Sequence, residues 1–195
     1  MSPNTANVTT TIHKAEVNGP LCQQFRDEMR TELAHLLGHL EHMPAESRPQ
    51  LLPSGSVFLV AEAQQSSNTL PKSTSASQPE LSDTHAIAIA SLCLLPLPLP
   101  SDSSALTKNL PPNARIGELK RVLTRPAFRR QGVQKVLMAA IEDIARRELG
   151  MDLLVLETLH TLPGAQRMYE ACGWKRRGVF GCYDEGHSAC YEKWL

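Results

Sequence analysis

The interpretation of this sequence depends on one stretch, KRVLTRPAFRRQGVQKVL, residues 120–137. An aliphatic run ends at Arg125 and Pro126, a basic turn leads to Gly132, and an amphipathic helical pattern starts at once. This order predicts a strand, a loop and a helix N-terminus. The unpaired N–H groups of a first helical turn, together with the helix dipole, form a binding site for phosphate. Gly132 has no Cβ, so the backbone can approach such a ligand closely.

The flanking sequence extends this pattern on both sides. Residues 115–124 are predicted to form the strand before the loop, and residues 131–149 the helix after it, with Gly150 as a helix stop. Residues 152–158 are nearly all apolar, which predicts a strand buried on both faces. A strand, a helix and a second strand in this order imply a parallel pair.

The first part of the chain predicts further strands and one long helix. Residues 1–7 are expected to be a frayed tail, followed by a β-branched strand at 8–13. Apolar residues recur at intervals of three and four from Leu21 to Leu40, which predicts a helix facing the core. Residues 57–61 and 86–95 are predicted to be two strands that pair as neighbours.

Residues 64–84, between these two strands, are dominated by Ser, Gln, Thr and Pro. Such a segment buries too little apolar surface to offset its ordering entropy, so it is predicted to be a disordered insertion at a hairpin tip. A tolerated surface insertion is the simpler interpretation, and a regulatory segment is the alternative.

The C-terminal part predicts a helix from Pro163 to Gly173 and two final strands at 174–180 and 188–195. Alternating strands and helices with a late hairpin indicate an α/β or α+β fold with a mixed sheet. At 195 residues, the chain is expected to be a single domain spanning 1–195.

Composition and charge argue against several binding partners and cellular locations. The formal net charge is zero, so no basic field is expected to hold a nucleic acid or an anionic membrane. The apolar stretch 86–100 is short and broken by prolines, and the N-terminus lacks a secretory signal pattern. The five cysteines are odd in number and scattered, which favours reduced thiols and a cytoplasmic location.

Three histidines in the first predicted helix could form a metal site. His35, His39 and His42 are four and three residues apart, so they could share one face. A polar rim beside the apolar stripe is the favoured alternative, because no acidic or cysteine ligand accompanies them. No metal is therefore expected.

Three segments carry a family resemblance. Arg129, Gly132 and Gln134 fall on the signature R-x-x-G-x-G/A of the GNAT N-acetyltransferases, with Gln134 where the family usually has Gly or Ala. Residues 156–158, Leu-Glu-Thr, and the later Ala-x-x-Met-Tyr-Glu-x-x-Gly-Trp at 165–174 are similar to a second GNAT pattern. The ending at 180–195 resembles a subgroup of small-molecule acetyltransferases. Together these segments identify the chain as a suspected GNAT member.

The resemblance implies a fold, a co-substrate and a set of site residues. The fold is a largely antiparallel mixed sheet with a central parallel strand pair, flanked by helices. The co-substrate is acetyl-CoA. The implied cofactor-binding residues are Val122, Leu123, Thr124, Arg129, Arg130, Gln131, Gly132, Val133, Gln134 and Lys135.

The resemblance also implies a chemistry. Tyr169 occupies the position of the tyrosine that protonates the departing CoA thiolate. Glu118 and Glu157 are candidates for the base, with a preference for Glu118, and an ion pair with a nearby basic residue is the alternative for either. On the same resemblance, the three histidines could line the acceptor pocket.

The implied acceptor is a small-molecule amine or an amino acid, and a homodimer is compatible with the family. Two alternatives remain open at this stage. Gln134 could mark a degenerate domain that binds acyl-CoA, or mediates protein interactions, without turnover. A nucleotide-binding P-loop is disfavoured because no G-K-S/T follows Gly132.

Overall fold

A computed structural model describes residues 10–37, 51–66, 84–97, 110–111, 113–180 and 186–195. The chain alternates strands and helices in the order expected from the sequence. The elements are β1 (Thr10–Ala15), α1 (Pro20–Leu37), β2 (Val57–Ser66), β3 (Thr84–Leu97), β4 (Ile116–Thr124), a 3₁₀ turn (Pro126–Phe128), α2 (Val133–Arg147), β5 (Leu153–Leu159), α3 (Pro163–Ala171), β6 (Lys175–Arg177) and β7 (Ser188–Trp194).

The strands form one seven-stranded sheet in the order β1-β2-β3-β4-β5-β7-β6. The neighbours pair antiparallel everywhere except at the centre, where β4 and β5 are parallel. The strand–helix–strand pattern predicted this central pair, because a parallel connection needs a crossover element such as α2. The predicted fold class, a largely antiparallel mixed sheet with a parallel pair, is confirmed.

The helices divide between the two faces of the sheet. Buried residues of α2 and α3 pack with Leu119, Leu154 and Leu156 in one core cluster. On the other face, Cys22 and Phe25 of α1 pack with residues of β2, β3 and the end of β4 in a second cluster. The sheet is therefore the middle layer of a three-layer structure.

β4 and β5 are paired over only part of their length, so the sheet is open between the remaining parts of the two strands. β4 and β5 pair only from Ile116 to Leu119 and from Leu153 to Leu156. Beyond this segment β4 continues to Thr124 beside β3, and β5 continues to Leu159 beside β7. The two strands therefore separate into a fork that opens at their C-terminal ends.

Several predicted boundaries were wrong. The insertion predicted at 64–84 is shorter, because β2 continues to Ser66 and β3 begins at Thr84, with Gln64 opposite Ala86. Backbone hydrogen bonds hold these polar residues in the ladder whatever their side chains. Residues 67–83 and the predicted tail 1–7 lie outside the described residues.

Other elements are shorter than predicted. The first helix ends at Leu37, and Leu40 lies outside the described residues. The second helix begins at Val133, because Gly132 has a left-handed backbone conformation that a helix cannot include. β6 covers only Lys175–Arg177, at the edge of the sheet beside β7.

Candidate active site

A cleft of about 650 Å³ lies at the C-terminal ends of β4 and β5. Segments from α1, the end of β4, the following loop, the start of α2 and the β5–α3 connection line it. The cleft brings together all of the predicted cofactor-binding residues except Gln131, and it also includes Tyr169. Segments far apart in sequence thus meet at the place where the sheet divides.

A bulge in β4 sets which side chains face the cleft. Cys93 pairs with Lys120 whereas Ser91 pairs with Leu123, so β4 contains one extra residue at this point. Arg121 takes a left-handed conformation with φ 55° in the bulge. Its guanidinium Nη1 lies 3.4 Å from the Sγ atom of Cys22 on α1. The bulge is therefore tied to the helix on one face of the sheet.

The loop from 129 to 135 presents a row of backbone donors. Arg130 has φ 63° and Gly132 has φ 79°, and the first hydrogen bonds of α2 run from the N–H groups of Lys135 and Val136 to the Gly132 carbonyl. Among the described residues, none accepts a hydrogen bond from the consecutive N–H groups of residues 130–134. Such a row at a helix N-terminus can bind an anion.

The backbone conformation of Gly132 favours glycine at this position. Its positive φ is one that L-residues with a side chain rarely adopt. A Cβ placed on Gly132 would meet no atom of the protein within 4 Å. The space beside the donor row is therefore open.

Two arginines connect this loop to α1. The Nε and Nη2 atoms of Arg125 donate to the Glu28 carboxylate at 2.9 and 2.7 Å, and its guanidinium lies 4.8 Å from the Phe25 ring centroid. Arg129 Nη2 donates to Glu32 at 2.7 Å, and Arg129 Nε donates to the Thr124 carbonyl at 2.9 Å. Two ion pairs, one helical turn apart, thus hold α1 against the loop.

Gln134 turns towards the end of β4. Its Oε1 atom accepts a hydrogen bond from the Thr124 hydroxyl at 3.0 Å. Its Nε2 atom is buried and has no hydrogen-bond partner within the described part of the chain. The larger residue at the family's Gly or Ala position is thus accommodated against β4, and it leaves one unused donor.

Tyr169 stands on the opposite side of the cleft from α1, on α3. Its side chain is buried, with ring centroids 6.3 Å from Trp174 and 5.7 Å from Tyr191. Burial raises the pKa of Tyr169 well above its ordinary value, and Tyr191 and Cys172 act in the same direction. Because the phenol stays protonated at neutral pH, it can serve as a proton donor.

The two predicted base candidates lie on the face of the sheet that α1 covers. Glu118 is level with Val155 on the neighbouring strand, and Glu157 is two residues further along that strand. Glu118 is buried and forms an ion pair with Lys120 at 2.9 Å. Glu157 is the first residue of β5 beyond the paired segment, at the base of the fork. Neither is among the described residues that line the cleft.

The histidine hypothesis receives no structural support. His35 is exposed on α1 and does not line the cleft, and His39 and His42 lie outside the described residues. Within the described ranges, no group of three or more His, Cys, Asp or Glu side chains could hold a metal ion. The four described cysteines carry no disulfide. No helix in the described part of the chain is long and apolar enough to cross a membrane.

Hydrophobic periodicity alone missed two parts of the cleft wall, although the family resemblance implies that the first helix walls the acceptor site. Met29, Leu33 and Leu36 of α1 line the cleft together with Glu32, whereas the periodicity assigned these three apolar residues to the core. The connection at 161–165 also lines it.

Comparison with known proteins agrees with this geometry. The sequence model of the Acetyltransferase (GNAT) family matches residues 83–174, which include β4, the loop, α2, β5 and α3. This region belongs to the GNAT family. The match covers the donor row and Tyr169 together. No curated protein sequence matches the chain significantly.

Solved structures share the GNAT fold across nearly the whole chain. A GNAT-family acetyltransferase of Staphylococcus aureus Mu50 superposes with a TM-score of 0.61 at 15% identity, covering 96% of this chain and 99% of that one. Arabidopsis thaliana NAA60, in complex with a bisubstrate analogue, gives 0.56 at 13% identity, covering 94% and 98%. A GNAT acetyltransferase of Elizabethkingia anophelis with acetyl-CoA bound gives 0.51 at 13% identity, covering 95% and 98%.

Proposed function

We propose that the chain is an acyl-CoA-dependent N-acetyltransferase that moves an acetyl group from acetyl-CoA to a primary amine of a small molecule or an amino acid. The observation that carries this proposal is the row of unpartnered N–H groups at 130–134, in the same cleft as Tyr169. Aminolysis of a CoA thioester needs both an anchor for phosphate and a proton for the leaving thiolate. The family of residues 83–174 supports the same conclusion.

In this proposal the donor row of the 129–135 loop holds the pyrophosphate of acetyl-CoA. Arg130 and Lys135 line the cleft and add positive charge. The open space beside Gly132 is where a phosphate can reach the backbone. Acetyl-CoA supplies the activated acyl group. Backbone groups of residues 122–124 pair with its pantetheine arm, because β4 continues past its pairing with β5.

The chain's own side chains then move two protons. An amine must lose its proton before it can attack, and we assign this task to Glu157, with Glu118 as second choice. Glu157 stands at the base of the fork, and Glu118 lies further back in the paired segment, in an ion pair with Lys120. Tyr169 donates the second proton, to the thiolate, because burial keeps its hydroxyl protonated.

A second candidate function, a degenerate domain without turnover, depends on Gln134. Its contact with Thr124 argues against that alternative, because the side chain is held at β4 while the donor row stays unpartnered. The buried Nε2 donor of Gln134 also lacks an acceptor among the described residues, and a bound cofactor could provide one. We therefore favour an enzyme.

The test combines binding with turnover. Purified protein is mixed with acetyl-CoA and a panel of primary amines, and the free thiol of CoA is followed with a chromogenic thiol reagent. Amine-dependent thiol release is the expected result. A thermal shift with CoA but no release on any amine would instead support the degenerate domain. Absence of CoA binding would refute the enzyme and would leave only a protein-interaction role for the domain.

The base assignment has its own test. Glu157→Gln should lower kcat while the affinity for acetyl-CoA stays unchanged, because the general base is lost. Glu118→Gln should lower stability more than kcat. The opposite pattern would move the assignment to Glu118.

A further inference from the structure

The cleft passes through the sheet and reaches both of its faces. Val122, Ala165 and Met168 line it and pack with the core cluster of α2 and α3. Met29 and Leu123 line it as well and pack with the core cluster of α1. The fork between β4 and β5 makes this possible. A ligand anchored by the start of α2 therefore leaves the α1 face open for a second one.

The α1 face of the cleft is apolar. Met29, Leu33 and Leu36 lie at intervals of four and three, so they form one side of the helix, and all three line the cleft. We call these three residues the α1 wall. Leu36 is 52% exposed, so its side chain is accessible to a ligand in the cleft.

The charged side chains that line the cleft, within the described residues, have a positive excess. Glu32 is the sole carboxylate among the described lining residues, and it is paired with Arg129. Arg130 and Lys135 are the other charged groups, and both are cationic. Because the described lining offers no further anion, a second ammonium group on an acceptor would find no counter-charge there.

We infer that the acceptor is a primary monoamine with an apolar body, which packs on the α1 wall. An amino acid with an apolar side chain satisfies the same description, whereas a diamine or polyamine does not. This inference rests on the proposed function, because it names the substrate class of that site. Leu33 and Leu36 are the residues that determine the preference, since neither is among the residues that pack with the core cluster of α1, whereas Met29 is.

A matched pair of amines tests the preference. Hexylamine and 1,6-diaminohexane share a six-carbon chain and differ in the second ammonium group. We expect kcat/KM of the wild-type protein to be at least about tenfold higher for hexylamine, since burying an unpaired charge is unfavourable. Equal values, or a preference for the diamine, would overturn the inference. If no amine, including these two, gives thiol release, the proposed function itself is refuted.

Substitutions on α1 localise the effect. Leu36→Asp adds a counter-charge to the α1 wall, so it should reduce the preference for hexylamine about tenfold, mainly through a better rate with the diamine. Thr31→Asp is the matched control, because Thr31 is exposed on the same helix but does not line the cleft. An equal change in both variants, or an unchanged preference in Leu36→Asp, would show that the α1 wall does not contact the acceptor. Acetyl-CoA affinity, measured by calorimetry, should stay the same in both.

Discussion

The two sides of the cleft are held in place by different forces. On one side, ion pairs of Arg125 with Glu28 and of Arg129 with Glu32 attach α1 to the loop. On the other side, Tyr169 is fixed by apolar packing against Trp174 and Tyr191. Charge pairs near a surface respond to bound anions, salt and pH, whereas close packing does not. The first side is therefore suited to binding an anion, and the second to holding one hydroxyl in place.

The largest effect should come from Gly132→Glu. A carboxylate would enter the open space beside the donor row, and the side chain would strain a backbone at φ 79°. We expect acetyl-CoA binding to weaken by about 100-fold or more, roughly 2.7 kcal/mol, as measured by calorimetry.

Gly173→Glu is the control for strain. Gly173 has φ 83° but lies outside the cleft lining, so the variant should lose stability and keep its affinity for acetyl-CoA. Normal binding by Gly132→Glu would mean that the loop does not hold the cofactor.

Tyr169→Phe should have the next largest effect, on turnover alone. Loss of the phenolic proton donor should lower kcat about 100-fold, with little change in the dissociation constant of acetyl-CoA. Steady-state kinetics and calorimetry on the same preparation separate the two quantities.

Tyr191→Phe provides the comparison for this variant. It removes a hydroxyl that donates to Glu170 at 3.0 Å, but Tyr191 does not line the cleft. Its turnover should stay within about fivefold of wild type, since no reacting group is lost. A similar fall in both variants would assign Tyr169 to packing rather than to proton transfer.

A smaller effect is expected for Glu32→Gln. This change releases Arg129 from its ion pair and removes a negative charge beside the proposed phosphate site. Acetyl-CoA should bind roughly threefold more tightly, a gain within the range of exposed ion pairs, and added salt should reduce the difference. Weaker binding would show that Glu32 orients Arg129 for the cofactor instead of competing with it.

The smallest effect is an acid-dependent loss of stability on the α1 side. The hydrogen bonds from Arg125 hold the pKa of Glu28 below its ordinary value. A lowered folded-state pKa adds stability above the unfolded-state pKa, and this stability is lost as the pH falls through the folded-state value. Glu28→Gln should therefore lower the free energy of unfolding at pH 7 by about 0.5 kcal/mol, and the difference from wild type in thermal melts should shrink as the pH falls through the folded-state pKa of Glu28. A difference that does not shrink in acid would contradict the ion-pair explanation.

The loop was predictable from sequence because it is built from local features. A glycine with a positive φ, basic neighbours and the first turn of a helix lie within a few consecutive residues, and the phosphate donors are backbone groups. The parallel pair followed from the order of strand, helix and strand. Such features depend on chain connectivity more than on distant partners.

The ion pairs of the α1 side were not predictable, because they join residues that are far apart in the sequence. Arg125 and Arg129 each pair with a glutamate 97 residues earlier, and no local sequence pattern indicates a pair at such a separation. The apolar stripe of α1 is the same whether it faces a core or a cleft. The extra residue in β4 was equally hidden, since Lys120 to Thr124 reads as a regular strand.

The bulge at Arg121 decides on which face of the sheet the later residues of β4 lie. Leu119 and Val122 pack with the core cluster of α2 and α3, although they are three residues apart, while Leu123 packs with α1. In a regular strand, residues three apart would point to opposite faces. Deleting one residue here would therefore turn the side chains of residues 122–124 to the opposite faces of the sheet, although the residues themselves stay the same. An alignment of β4 with the corresponding strand of another protein should therefore place the bulge first, because the bulge decides which face each later side chain occupies.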